Sequence, residues 1–179
     1  MNLNISEMKN KRRIIQTRIE GFEIRHAIEE DVQIILGLIK ELAVYEKLLH
    51  EVVTTEEDLK KNLFGKKRYA ETILGYYLDE PVSFALFFHN FSTFVGKPGL
   101  YLEDLYVKPE KRGKGFGKVL LAYLAKLAVE RDCGRYEWAV LDWNEPALKF
   151  YKSLGATVMN EWLIHRVTGE ALKKLAEQF

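Results

Sequence analysis

The run Arg112-Gly-Lys-Gly-Phe-Gly-Lys118 constrains this chain more than any other feature. It follows a strand-like stretch, residues 100–107 (LYLEDLYV), that Pro109 closes. It precedes a helical stretch, residues 116–131, in which Val119, Leu120, Tyr123, Leu124, Leu127 and Ala128 share one face. Glycines between a strand and a helix let the backbone approach a ligand closely. The helix that follows points unpaired N–H groups and the positive end of its dipole at the same place. Lys111, Arg112, Lys114 and Lys118 add positive charge. A phosphate or pyrophosphate fits that combination. The spacing excludes the commonest phosphate loops. A P-loop needs Gly and Ser or Thr where Arg112 and Val119 stand, and GxGxxG needs Gly where Lys118 stands. Arg-x-x-Gly-x-Gly does fit, as Arg112, Gly115 and Gly117.

The rest of the chain surrounds this unit with alternating elements. Phe22 and Ile24 alternate with Glu23 and Arg25, a strand pattern. Asp31 opens a helix whose Ile34, Ile35, Leu38, Ile39 and Leu42 lie on one face. Thr54 and Glu57 have capping-box spacing and start a second helix that Gly65 stops. Residues 70–78 and 82–88 flank Asp79-Glu80-Pro81 and read as a hairpin. Residues 136–141 form a strand, and Asn144-Glu145-Pro146 starts a helix that ends at Gly155. Residues 161–167 read as a final strand, and Gly169 leads into a short terminal helix. Strands alternate with helices around a central hairpin. The expected fold is α/β with a mixed α+β sheet rather than a purely parallel one.

Charge narrows the function. The chain of 179 residues carries 27 Lys+Arg and 26 Asp+Glu, so it presents no broad basic field for nucleic acid. The balance is uneven. Residues 1–20 hold Lys9, Lys11, Arg12, Arg13 and Arg18 against Glu7 and Glu20, which marks them as a basic arm, frayed or a short helix. Residues 21–179 read as a single, slightly acidic domain. Cys133 is alone, so no internal disulfide forms and a reducing cytoplasm is expected. His26, His50, His89 and His165 form no metal-binding pair, and no metal is expected. No apolar run approaches the roughly 20 residues of a membrane helix. The first 20 residues lack a secretory h-region.

Two constellations carry chemistry. Glu103 and Asp104 sit inside an otherwise apolar strand, where charge is costly to bury. Adjacent residues of a regular strand face opposite sides, so alternation turns at least one carboxylate toward the core or a cleft. Asn144 and Tyr151, seven residues apart, project from one face of a short helix.

These motifs together resemble a known family. Arg112–Gly117 is similar to the acetyl-CoA pyrophosphate motif of the GNAT N-acetyltransferases, and the likeness runs from about residue 22 to 168. Residues 101–107 (YLEDLYV), Leu141-Asp-Trp-Asn-Glu-Pro146, Phe150-Tyr-Lys-Ser-Leu-Gly-Ala156 and Glu41-Leu-Ala-Val-Tyr-Glu-Lys47 resemble the spermidine/spermine N1-acetyltransferase branch, which includes thialysine-type enzymes. The resemblance implies a GNAT fold with a mostly antiparallel, twisted sheet of six to seven strands flanked by helices. It implies that Leu105, Tyr106 and Val107 offer backbone groups to the acetyl and pantetheine arm. Arg112, Gly113, Lys114, Gly115, Phe116, Gly117 and Lys118 hold the pyrophosphate, Asn144 contacts the pantetheine, and Tyr151 sits near the sulfur. Glu103 matches a water-linked catalytic carboxylate. Tyr45, Glu46, Asp104 and Trp138 match the substrate side. Glu137 and Trp138 depart from the branch's usual residues in the 137–139 stretch.

The expected chemistry is direct transfer from acetyl-CoA to a primary amine of a diamine, polyamine or lysine-like amino acid. Glu103 is the candidate base, its pKa raised by burial, and Tyr151 the candidate acid. A backbone N–H at Leu105 or Tyr106 stabilises the developing oxyanion. Carboxylates at Glu46, Glu103, Asp104 and Asp142 favour a cationic acceptor. Alternatives are a protein, peptide or aminoglycoside acetyltransferase, or a CoA-binding module without turnover. A homodimer that trades C-terminal strands is expected by the same resemblance.

Overall fold

The computed structural model describes residues 12–179. Residues 1–11, and with them half of the basic arm, lie outside the described residues. The chain divides into a unit that ends at Ala139 and a second of Val140–Phe179.

The first unit is a six-stranded sheet in sequence order: β1 (Ile14–Gln16), β2 (Phe22–His26), β3 (Glu71–Tyr77), β4 (Glu80–Ser92), β5 (Lys97–Val107) and β6 (Arg135–Trp138). Every neighbouring pair is antiparallel except β5 and β6. That parallel pair needs a crossover, and α3 (Phe116–Glu130) provides it. The mixed sheet agrees with the sequence pattern. The arm contributes more than charge, because Ile14–Gln16 pairs with β2 as the outermost strand.

Helices cover both faces. On the first face α1 (Val32–Tyr45), α2 (Glu56–Leu59) and the π turn Lys60–Phe64 after it pack Val32, Ile35, Leu38, Leu59 and Leu63 against Leu74, Phe84 and Tyr106. On the second, Phe116 of α3 stacks on Phe22, ring centroids 4.2 Å apart. Each fully buried large side chain of this kind contributes about 1.5–3 kcal/mol.

The ends of α1 are fixed by specific groups. Asp31 precedes the helix and is buried, yet it accepts from the Ile28 N–H at 3.0 Å and from Arg12 at 2.6 Å. At the other end Lys47 adopts φ 63°, and the Leu48 N–H reaches back to Ala43 O at 2.8 Å. This left-handed closure stops the helix at Glu46. The capping box of α2 lies one residue later than expected. The Thr55 hydroxyl accepts from the Asp58 N–H, and Asp58 accepts from the Thr55 N–H.

In the second unit α4 (Glu145–Ser153) and α5 (Gly169–Ala176) form as expected, but residues 161–167 are not a strand. Trp162, Leu163 and Ile164 are exposed there, and no strand among the described residues pairs with them. A β-pattern without a ladder partner does not hold an extended strand in water. Among the described residues no helix is long and apolar enough to cross a membrane.

Removing Arg12 leaves Asp31 buried without its counter-charge. Arg12→Ala is expected to lower the unfolding free energy by about 3 kcal/mol, read from urea denaturation. An unchanged midpoint would show that the pair does not hold the start of α1.

Candidate functional site

The site begins where a ladder ends. β5 pairs with β4 along its whole length, from Lys97 opposite Ser92 to Val107 opposite Ser83. Its pairing with β6 stops at Leu102 opposite Trp138. Beyond that point the outer edge of β5 carries no strand among the described residues. Leu105, Tyr106 and Val107 lie on this open edge, where backbone N–H and C=O groups can pair with an extended ligand.

The glycine loop follows directly. Arg112 Nε donates to Val107 O at 2.9 Å. Gly113 and Gly115 adopt φ 77° and 86°, the left-handed region that favours glycine. Gly115 is the N-cap of α3 and supplies no side-chain cap. The first N–H groups of a fifteen-residue helix therefore face the loop without a side-chain acceptor from the cap. A Cβ at Gly113 would meet nothing within 4 Å, so the loop leaves open space there. The loop's cations diverge. Lys114 Nζ lies 4.9 Å from the Tyr77 ring centroid, and Lys111 pairs with Glu80 at 2.7 Å. The Arg112 guanidinium lies 4.3 Å over the Tyr45 ring. Lys118 is exposed on the first turn of α3. The Phe116 side chain is core, which leaves its backbone alone to the loop.

A bulge sets the carboxylates. Leu86 lies opposite Asp104 and Phe87 opposite Leu102, so Glu103 is an inserted residue. The insertion breaks the alternation assumed from sequence. Leu102 and Asp104, two apart, lie on opposite faces, and Asp104 shares the α1 face with Leu86 and Tyr106. Glu103 is exposed, contrary to the expectation that it is the buried base. Burial falls on Asp104 instead. Desolvation, then the neighbouring charges of Glu103 and Glu46, push its pKa up to about 7. Burial also raises the Glu46 carboxyl, which the closure of α1 places at the helix end. Tyr45 stands beside it, packed against the α1-side core. Burial and then the Glu41 carboxylate push the Tyr106 phenol up to about 12.

The register also sorts β6. Trp138 pairs with Leu102 on the α3 face, whereas Glu137 pairs with Tyr101 on the face of Asp104. The Trp138 ring packs against Tyr136, centroids 4.9 Å apart. Asp142 is exposed in the second unit. There the Asn144 side chain caps α4, accepting from the Ala147 N–H at 3.4 Å. Tyr151 is half-buried on the same helix, its ring 5.5 Å from that of Phe150. Sequence reasoning missed the bulge and Glu41. The adjacent carboxylates in an apolar strand were the signal for the first, and the one-helical-turn spacing of Glu41 and Tyr45 was a weak signal for the second.

Because Glu46 is one cause of the raised Asp104 pKa, Glu46→Gln is expected to lower it. A carboxyl-carbon NMR titration reads this directly, and an unchanged or higher Asp104 pKa would contradict the electrostatic coupling.

The acetyltransferase (GNAT) family model matches residues 39–156. The thialysine N-epsilon-acetyltransferase of Bos taurus is 40% identical over 164 residues, covering 86% of this chain and 96% of that protein. The L-ornithine N5-acetyltransferase of Arabidopsis thaliana is 34% identical over 197 residues, covering 85% of this chain and 86% of that protein. Among solved structures, an integron cassette protein from the mobile metagenome of V. cholerae is 29% identical with TM-score 0.75, covering 88% of this chain and 98% of that one. An aminoglycoside acetyltransferase from a soil metagenome, 19% identical with TM-score 0.69 over 83% of this chain and 96% of that one, shares the fold. The chain belongs to the acetyltransferase (GNAT) family, acyltransferases whose co-substrate is acetyl-CoA.

Proposed function

We propose that this chain transfers an acetyl group directly from acetyl-CoA to a terminal primary amine of a small cationic substrate: a diamine, a polyamine or a lysine-like amino acid. The observation that carries this reading is Asp104, a carboxyl held near pKa 7 between Glu46 and Glu103 beside the open edge of β5. Three carboxyl groups there attract an ammonium and make a poor place for an anion. The names of the relatives, a thialysine and an ornithine acetyltransferase, support the same class of acceptor.

The chain's own groups divide the work as follows. The glycine loop and the first turn of α3 would hold the pyrophosphate, and the β5 edge would hold the pantetheine arm as an added strand. Acetyl-CoA supplies the activated thioester. A free amine, rather than an ammonium, attacks a thioester, and an ordinary aliphatic amine has a pKa near 10. Asp104, with a pKa near 7, accepts the amine's proton at neutral pH, and exposed Glu103 relays it through water. An N–H of Leu105 or Tyr106 steadies the carbonyl oxygen as charge builds on it. Tyr151 is assigned the return of a proton to the departing sulfur, and Asn144 a contact to the pantetheine.

The resemblance further carries a cytoplasmic homodimer that exchanges C-terminal strands. The exposed Trp162, Leu163 and Ile164 support a partner for that segment. In such a dimer the 161–167 pattern gains the ladder that a lone chain lacks.

Asp104 works as a base only when ionised. The value of kcat/KM with a diamine is therefore expected to rise with pH through about 7 and level off above it. Asp104→Asn is expected to remove that break and to lower kcat/KM about 10²–10³-fold. A break that persists in the variant would take the proton-accepting role from Asp104. Separately, Tyr151→Phe is expected to lower kcat about tenfold or more. Unchanged turnover would remove Tyr151 from the mechanism. Faster acetylation of neutral or acidic amines than of diamines would overturn the substrate class.

A further inference from the structure

Below the bulge, the α1-side face of the sheet continues past the helices that cover it. Phe84, Leu86, Phe88 and Asn90 alternate along β4, and their partners on β5 are Tyr106, Asp104, Tyr101 and Gly99. All eight therefore share one face. Gly99 and Tyr101 pair in turn with Arg135 and Glu137 of β6. The strip running down from Asp104 thus carries aromatic rings and then a charged group. The Phe88 and Tyr101 rings lie 5.1 Å apart. Beyond them Glu137 Oε2 accepts from Asn90 Nδ2 at 3.0 Å and lies 2.8 Å from Arg135 Nε.

This pair is held in place. A Cβ at position 99 would meet Asn90 Oδ1 at 2.2 Å and Arg135 Cγ at 2.9 Å, so only glycine lets both side chains lie across the strand. Asn90 Oδ1 is buried without a hydrogen-bond partner among the described residues, and Arg135 Nε, though 2.8 Å from Glu137 Oε2, is not aligned for a hydrogen bond to it. The ends of the pair are not buried. The Glu137 and Arg135 side chains remain 36% and 37% exposed, and both contacts to Glu137 fall on Oε2. Glu137 Oε1 and the terminal guanidinium nitrogens of Arg135 lie outside those contacts. A carboxylate and a guanidinium presented side by side match an α-amino-acid head, ammonium to Glu137 and carboxylate to Arg135.

The spacing fits the rest of such a molecule. Tyr101, opposite Glu137, lies three residues from Asp104, one of them inserted by the bulge. Two paired positions at about 3.3 Å each along the strand and one step of about 4.8 Å across to β6 set the backbones of Asp104 and Glu137 about 8 Å apart. An extended four- or five-bond chain spans about 6 Å, short enough to lie between the two residues. The Phe88 and Tyr101 rings would floor the methylene groups between the two polar ends.

We propose that Arg135 and Glu137, pinned by Asn90 over Gly99, form a specificity subsite that reads the α-amino-acid head of the acceptor while its ω-amine sits at Asp104. This rests on the acetyltransferase reading above and narrows its substrate class. Arg135 repels an extended polycation and rewards a carboxylate, so the favoured acceptor is a basic amino acid rather than its decarboxylated diamine or a polyamine.

The test compares ornithine with putrescine, which differ by the carboxylate alone, as kcat/KM ratios on the full chain. The wild type is expected to favour ornithine at least tenfold. Arg135→Met is expected to cut the ornithine-to-putrescine ratio at least tenfold, and Arg135→Lys to keep part of it. Glu137→Gln is expected to lower kcat/KM for both substrates together, because both carry a distal ammonium. Should Arg135→Met lose all turnover, the Arg135→Lys ratio decides: a reduced ratio supports the subsite and the wild-type ratio overturns it. A proportional loss of both substrates in Arg135→Met also overturns it, since that is what a merely structural ion pair gives. If the wild type acetylates neither compound, the acetyltransferase reading for small amines fails and this inference falls with it. If it acetylates putrescine as well as ornithine, this inference alone fails.

Discussion

One inserted residue organises the site. Where β4 and β5 pair, Glu103 has no partner of its own, and the residues on either side of it change face. A regular strand would have put Asp104 and Leu102 on one face. The bulge instead brings Asp104 onto the side where α1 ends, close enough to Glu46 for the two carboxyls to repel. At the same level the ladder to β6 stops, and β5 turns from an inner strand into an open edge. Bulges bend a strand and increase its local twist, which is the natural way for two neighbours to part. Carboxylates and open backbone thus arise from one local irregularity.

The charges then separate by element. The cations of the glycine loop belong to the turn between β5 and α3, whereas Glu46, Glu103 and Asp104 belong to the end of α1 and the bulge. Arg112 joins the two groups, with one contact to the end of β5 and another to Tyr45 on α1. A nearly neutral chain of this kind presents two local fields of opposite sign, suited to an anionic cofactor phosphate and a cationic acceptor. Net charge averages them away.

Much of this was legible in the sequence where local rules hold. The hairpin, the long amphipathic α3 and the Asn144 cap follow from turn chemistry and periodicity, and each forms near the predicted residues. The failures have a common physical origin in pairing. Alternation could not reveal that Glu103 is inserted, because a bulge is a property of two strands and not of one. The 161–167 run has a strand's composition but no neighbour to bond to. The basic arm looked featureless, yet Ile14–Gln16 finds β2 and Arg12 finds buried Asp31. Trp138 and Glu137 could be assigned to faces only once the register of β6 was fixed.

The proposed role of the bulge is to present Asp104 to the attacking amine beside the open edge of β5. A crystal structure of the chain with a non-transferable acetyl-CoA analogue and a diamine reads that contact. The amine nitrogen is expected within about 3.2 Å of the Asp104 carboxylate, with the pantetheine arm paired along residues 105–107. An amine bound away from Asp104, or a pantetheine arm that leaves that edge unpaired, would contradict it.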